Sequence, residues 1–164
     1  MKLKQLESYL QQVDGFVSPN IKLEQYSTSA HIASHMLYTM DQTYDDVRNK
    51  IVSDFGCGCG VLTTGAAMLE AGQVVSFDID DSAINCAQDN ILEFELDSVV
   101  DFVQTDIVND ELLMRYLAER KIIDTVVMNP PFGTKNNKGE LSYRHYIQID
   151  YFVTLQANLF YQIV

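Results

Sequence analysis

Short apolar segments alternate with longer amphipathic segments along most of the chain. Four short segments rich in β-branched residues predict buried strands over residues 51–55, 74–77, 99–104 and 125–128. Apolar positions three to four residues apart predict helices over residues 3–13, 29–40, 61–71, 82–95 and 109–120. Strands that alternate with helices are typical of an α/β fold, in which helices cover both faces of a mostly parallel sheet.

Two helix boundaries are predicted from the local sequence. Ser27 or Thr28 is expected to cap the helix over residues 29–40, because a hydroxyl there accepts a hydrogen bond from the first turn. Gly72 is expected to end the helix over residues 61–71, because glycine readily adopts the left-handed conformation found after many helices.

Composition limits the classes of function. The 164 residues, 47% of them hydrophobic, fit one domain, and no apolar run is long enough to predict a membrane span. The 23 acidic and 11 basic residues give a net charge of -12, and residues 51–114 contain no Lys or Arg. This excess of acidic residues argues against a protein that binds nucleic acid over its whole surface. It does not exclude a local basic patch or a basic partner. The odd count of 3 cysteines predicts reduced thiols in the cytosol or nucleus.

A glycine loop follows the first predicted strand. Residues 56–60 read Gly-Cys-Gly-Cys-Gly, which lets the backbone turn sharply and approach a ligand. The loop lacks the spacing of a dinucleotide fingerprint and the Gly-Lys-Ser/Thr of a phosphate loop. Asp54, at the end of the strand, could meet the cationic part of a ligand. A plain structural turn is the alternative interpretation of the glycine loop.

Two further acids end predicted strands. Asp78 is placed to accept the two ribose hydroxyls of a nucleoside, and Asp106 is placed to accept the amino group of adenine. Because parallel strands bring their carboxyl ends to one edge, these acids should lie near the glycine loop. Together they suggest S-adenosylmethionine, a cationic nucleoside cofactor without phosphates.

The sharpest motif is Asn129-Pro130-Pro131-Phe132, directly after the fourth strand. The prolines fix the backbone, so the Asn129 side chain and the Pro130 carbonyl can both accept hydrogen bonds from one planar amino group. Phe132 offers a ring on which a flat substrate can stack. These residues are predicted to be catalytic, by positioning the amine toward a methyl donor.

No metal site is expected from the sequence. His31 and His35 have the i, i+4 spacing of helical metal ligands, but no third ligand is evident and ordinary histidines are favoured. Cys57 and Cys59 do not have the spacing of a zinc or redox pair, so small side chains beside glycines are the favoured interpretation.

The motifs together resemble the methyltransferase-like protein 5 family. The stretches that carry the resemblance are residues 23–26, 54–60, 77–80 and 128–139. Residues 129–139 are highly specific, whereas many methyltransferases share the glycine loop. The resemblance implies a Rossmann-like class I S-adenosylmethionine methyltransferase fold in one domain over residues 1–164, with a family-like core over 1–139.

The resemblance also implies an activity and a partner. It implies an enzyme that makes N6-methyladenosine in small-subunit ribosomal RNA, in the nucleus and cytoplasm, as a heterodimer with a small zinc-ribbon activator protein. It places Gln25, Thr28, Gly56, Cys59, Val61, Asp78, Asp106 and Ile107 at the cofactor and residues 129–132 at the target base.

The chain departs from the family at two places. Ser27 stands where the family usually has Pro, and the match ends after Gly139. The divergent tail, residues 140–164, alternates apolar and polar residues over 147–160, which predicts a strand, and the sheet is expected to be incomplete at the C-terminus. Two alternatives stay open: a protein glutamine-N5 methyltransferase, and a non-catalytic fragment that only binds the activator.

Overall fold

Five parallel strands form one sheet in the computed structural model, which describes residues 1–107, 109–130 and 159–162. The strands are β1 (Ile51–Phe55), β2 (Gln73–Asp78), β3 (Val100–Gln104), β4 (Thr125–Met128) and β5 (Leu159–Gln162). They lie in the order β3-β2-β1-β4-β5, and each described pair is parallel. The carboxyl ends of all five strands therefore lie along one edge of the sheet.

Helices cover both faces of this sheet, as the sequence predicts. They are α1 (Leu3–Leu10), α2 (Ala30–Tyr44), α3 (Val61–Met68), α4 (Asp81–Glu93) and α5 (Glu111–Arg120), with short 3-10 turns at Ile21–Leu23 and Asp97–Val99. Within the described ranges, no helix combines the length and the apolar character needed to cross a membrane.

Alternating strand residues divide the core into two clusters. Val52 and Val74 pack with residues of α1, α2 and α3, whereas Phe55 and Phe77 pack with residues of α5. Successive residues of a strand point to opposite faces of the sheet. Within each strand the Val and the Phe are three positions apart, so they point to opposite faces and belong to different clusters. The α/β expectation is confirmed: α1, α2 and α3 cover one face, and α5 covers the other.

Two predicted helix boundaries are wrong. Ser29, rather than Ser27 or Thr28, caps α2, because its hydroxyl accepts a hydrogen bond from the Ile32 N–H at 3.3 Å. Helix α3 ends at Met68, well before Gly72. The Gly72 N–H donates to the Lys50 carbonyl at 2.9 Å, so the chain is already turning into β2.

The tail contributes a fifth strand. Leu159 and Phe160 lie opposite Thr125 and Val126 of β4 in parallel register. The prediction of a strand over residues 147–160 is therefore confirmed at its last two residues, and residues 147–158 lie outside the described ones. β5 therefore lies beside β4 at that side of the sheet.

Candidate functional site

A cleft opens at the carboxyl edge of the sheet, between the glycine loop and the segment before α2. It has about 320 Å³ of space and is open to solvent. The described residues that line it are Phe16, Tyr26, Ser27, Thr28, Asp54, Gly56, Cys57, Gly58, Cys59, Val61, Leu62 and Asn129. Six predicted site residues meet here: Thr28, Asp54, Gly56, Cys59, Val61 and Asn129.

The glycine loop turns sharply from β1 into α3. The N–H groups of Gly56 and Cys57 both donate to the Phe77 carbonyl, at 2.8 and 2.9 Å, which ties the loop to the end of β2. Gly60 precedes α3 and, as a glycine, supplies no side-chain cap to this helix. The N–H groups of the first turn of a helix lack intrahelical partners, so this end of α3, at the cleft, suits a carboxylate.

Two glycines of the loop allow a matched test of its geometry. Gly56 and Gly60 have φ of 75° and 82°, in the left-handed region that favours glycine. A Cβ at Gly60 would lie 3.0 Å from the Ala87 Cβ, whereas at Gly56 it would meet no described atom within 4 Å. We expect Gly56→Ala to lower the free energy of unfolding by about 1 kcal/mol and Gly60→Ala by more, measured by urea denaturation. Equal losses would mean that the contact with Ala87 relaxes freely.

Asp54 is a buried carboxyl group beside the cleft. Its Oδ2 accepts a hydrogen bond from the Thr63 hydroxyl at 2.7 Å. Its Oδ1 has no hydrogen-bond partner among the described residues. The pKa of Asp54 is raised to about 7, mainly by burial; the Thr63 hydrogen bond opposes this rise, and the charge of Asp78 adds to it. An unpaired buried oxygen at a cleft is suited to a cationic ligand.

Asp78 joins the glycine loop to the end of β2. Its two carboxylate oxygens accept hydrogen bonds from the N–H groups of Gly58, at 2.8 Å, and Asp80, at 2.9 Å. Burial raises the pKa of Asp78, and these two N–H groups oppose the rise. Asp78 lies beside the loop that lines the cleft, and a carboxylate that accepts these hydrogen bonds retains acceptor capacity for a ligand.

Gln25 holds the N-terminal segment against the end of β2. Its Nε2 donates to Asp80 Oδ2 at 2.5 Å, and its Oε1 accepts from the Asn20 N–H at 2.7 Å. The hydrogen bond from Gln25 also lowers the pKa of Asp80. Both ends of the Gln25 amide are therefore engaged within the protein, and Gln25 supports the wall of the cleft.

The amide of Asn129 is oriented by the same N-terminal segment. Asn129 Nδ2 donates to the Thr28 hydroxyl at 2.9 Å, and the Tyr26 hydroxyl donates to Asn129 Oδ1 at 3.4 Å. Thr28 therefore occupies the nitrogen side of the Asn129 amide. The amide oxygen, which makes only a long contact with Tyr26, is available as an acceptor for a ligand. Pro130 is buried, and the predictions for Pro131 and Phe132 lie outside the described residues.

Asp106 and Ile107 follow β3 beside the end of β2. The Thr105 N–H donates to the Asp78 carbonyl at 2.9 Å, which brings the two strand ends together. Asp106 Oδ2 accepts from Asn109 Nδ2 at 2.7 Å. Ile107 packs into the core on the α5 face, so its predicted contact with the cofactor depends on its backbone or on part of its side chain.

A buried asparagine fastens the N-terminal segment to the glycine loop. The Asn90 side chain of α4 accepts from the Asp14 N–H at 2.9 Å and donates to the carbonyls of Asp14, at 3.0 Å, and Cys59, at 2.9 Å. It is 1% exposed. One amide therefore satisfies three backbone groups from two segments that border the cleft.

Removing this amide should destabilise the protein. We expect Asn90→Ala to lower the free energy of unfolding by about 2–4 kcal/mol, because it leaves buried backbone groups unpaired. Asn85→Ala is the matched control, since Asn85 is exposed on the same helix and contacts only Asp81 in the described hydrogen bonds. Urea denaturation of both variants measures the difference, and similar losses would contradict the role of Asn90.

Comparison with known proteins identifies the family of the chain. The family described as "Methyltransferase small domain" matches residues 28–148. The chain belongs to this family. It is 57% identical over 139 residues to the rRNA N(6)-adenosine-methyltransferase METTL5 of Danio rerio, covering 85% of this chain and 64% of that protein. It is 45% identical over 139 residues to the Drosophila melanogaster protein of the same name, with 85% and 63% coverage.

A solved structure extends the likeness to nearly the whole chain. A candidate RNA methyltransferase of Pyrococcus horikoshii matches with a TM-score of 0.79 and 26% identity, covering 99% of this chain and 71% of that one. These relatives confirm the resemblance to the methyltransferase-like protein 5 family and the Rossmann-like class I methyltransferase fold. The chain spans about two thirds of the length of the curated relatives, at 63–64%.

Six residues that line the cleft are not among the predicted site residues. They are Phe16, Tyr26, Ser27, Cys57, Gly58 and Leu62. Phe16 packs over the glycine loop, where a Cβ on Gly58 would lie 3.0 Å from its ring. Phe16 belongs to a segment without helix or strand periodicity, so no sequence pattern predicts its contact with the glycine loop. Tyr26 stands within a motif stretch, and only the fold shows that it reaches Asn129.

Proposed function

We propose that this chain is an S-adenosylmethionine-dependent methyltransferase that modifies N6 of adenosine in small-subunit ribosomal RNA. The observation that carries the proposal is Asn129, whose amide Thr28 orients at the cleft beside the glycine loop. The names of the curated relatives support adenosine in rRNA as the substrate.

The residues at the cleft fit this cofactor. Asp54 Oδ1, buried and unpaired among the described residues, suits the cationic amine of its amino-acid part. The uncapped start of α3 suits the carboxylate of the same part. Asp78 and Asp106, on adjacent strand ends, suit the ribose hydroxyls and the adenine amino group. When bound, S-adenosylmethionine supplies an electrophilic methyl group.

Asn129 would act on the target amine. The nitrogen lone pair of adenine N6 is delocalised into the ring, so the amine is a poor nucleophile. Asn129 Oδ1 and the Pro130 carbonyl can accept its two hydrogens, which draws the nitrogen toward a tetrahedral shape and fixes its direction. The chain would then contribute orientation and a preorganised set of acceptors. The base would have to leave its stack to reach them.

A methyl-transfer assay tests the proposal. The chain is incubated with labelled S-adenosylmethionine and small-subunit ribosomal RNA, alone and with the activator, and the modified nucleoside is identified by mass spectrometry. Label in N6-methyladenosine supports the proposal. Label in protein, or no transfer in the presence of both cofactor and activator, contradicts it.

We further propose that a small zinc-ribbon activator binds this chain, and that the pair works in the nucleus and cytoplasm. Strand β3 supports the first point, since it ends the described strand order and an edge strand offers unpaired backbone groups to a partner. We expect co-expression to raise the soluble yield. Equal yield with and without the activator, or imaging that places the chain elsewhere, would contradict the respective proposal.

A further inference from the structure

Three metal-ligating side chains meet on the surface between α1 and α2, and none of them lines the cleft. Glu7 comes from α1, and His31 and His35 come from α2. One ligand atom from each lies within 4.8 Å of the other two. His31 Nδ1 lies 3.1 Å from Glu7 Oε1, and the two imidazole rings are 4.4 Å apart between centroids. The sequence shows the histidine pair, but the third ligand becomes visible only when α1 packs on α2.

The two helices hold this cluster in place. Leu6 and Leu10 of α1 are buried in the same core cluster as Ala33 and Leu37 of α2. Glu7 follows Leu6 directly, so its backbone is fixed relative to α2. The i, i+4 spacing places both histidines on one face of that helix. The three ligands are therefore attached to packed helices, which lowers the entropy lost when an ion binds.

We propose that Glu7, His31 and His35 bind one zinc ion. Imidazole nitrogen and carboxylate oxygen are common zinc ligands, at about 2.0–2.2 Å from the ion, which places tetrahedral ligands about 3.4 Å from one another. His31 Nδ1 and Glu7 Oε1, 3.1 Å apart, are close to this spacing. The His31 side chain is 68% exposed and His35 is also exposed, so small rotations bring the third ligand inward. A water molecule completes the tetrahedron.

The ion would join α1 to α2. Residues 11–29 connect these two helices and include Tyr26 and Thr28, which contact Asn129. A cross-link between the ends of this segment limits its movement, so zinc should raise the thermal stability of the chain. The site is independent of the proposed function, because none of its ligands contacts the cleft.

Calorimetric titration with zinc chloride tests the site on the full chain after treatment with a chelator. We expect one ion per chain. Glu7→Gln, His31→Asn and His35→Asn should each weaken binding at least about tenfold. His145→Asn is the matched control and should bind as the parent chain does. Zinc should raise the melting temperature of the parent chain but not that of His35→Asn.

Other outcomes would overturn the proposal. Unchanged binding in the three ligand variants would do so, as would a loss of binding in His145→Asn. Cysteines are a competing source of zinc ligands, and Cys86 is the most accessible of the three. A loss of binding in Cys86→Ser, or a thiolate charge-transfer band after substitution with cobalt, would assign the ion to sulfur. A cobalt spectrum without that band supports ligation by His31, His35 and Glu7.

Discussion

Asn129→Ala should lower the rate of methyl transfer by about 10²–10³-fold and leave the affinity for S-adenosylmethionine within about twofold. The variant removes the amide oxygen that the proposed function assigns to the target amine. Thr28 and Tyr26, which contact this amide, remain in place at the cleft. The loss should therefore appear in the chemical step rather than in cofactor binding. Single-turnover transfer of labelled methyl and calorimetric binding of the cofactor measure the two quantities separately.

Two further variants test whether the loss is specific to the Asn129 amide. Asn85→Ala removes an exposed amide on α4 and should retain the parent rate. Thr28→Val removes the acceptor for Asn129 Nδ2, so the amide can rotate, and the rate should fall less than in Asn129→Ala. A parent-like rate in Asn129→Ala would contradict a catalytic role. A joint loss of rate and of cofactor binding would place Asn129 among the cofactor-binding residues instead.

The sheet could be predicted because each strand is a short apolar run between turn residues. β1 and β4 have the predicted bounds, β2 is longer by one residue at each end, and β3 begins one residue later than predicted. Glycines and acids at strand ends marked the cleft, since the topology of a parallel sheet brings such ends together. Helix ends were harder, because the competing turn at Gly72 depends on a hydrogen bond to Lys50, which is distant in the sequence.

The contacts of the N-terminal segment could not be predicted from the sequence. Residues 14–28, between the first two predicted helices, show no helix or strand period, so no pattern indicates where their side chains lie. Asn90 fastens Asp14 to the glycine loop across 76 sequence positions, and Tyr26 reaches Asn129 across 103. Glu7 likewise joins the histidine pair only through helix packing. These contacts arise from tertiary structure, which local patterns do not encode.

Asp54→Asn should raise the free energy of unfolding at pH 8 by about 1–3 kcal/mol. Burial raises the pKa of Asp54 from 3.8 to about 7, so between these values the folded chain keeps a proton that the unfolded chain gives up. The contribution of Asp54 to stability therefore falls as pH rises from about 4 to about 7 and is constant above that. The pKa shift corresponds to a destabilisation of about 4 kcal/mol by ionised Asp54. The expected gain in stability is smaller than this, because the new amide N–H₂ costs free energy where it lacks a hydrogen-bond partner.

Urea denaturation across this range measures the effect. The difference between Asp54→Asn and the parent chain should be small near pH 4, grow up to about pH 7 and then remain constant. Asp89→Asn, an exposed substitution on α4, is the matched control and should follow the parent chain at every pH. A difference that does not change with pH would mean that Asp54 is ionised throughout this range.

The same carboxyl group should make cofactor binding dependent on pH. Only ionised Asp54 attracts the amine of S-adenosylmethionine, so the affinity of the parent chain should fall by up to about tenfold for each pH unit below 7. Asp54→Asn should bind more weakly than the parent chain at pH 8, and its affinity should change little between pH 8 and pH 5.5. Calorimetric titrations of both chains at these two pH values compare the slopes. Parallel slopes would show that another group controls the binding, even if Asp54→Asn is the more stable protein.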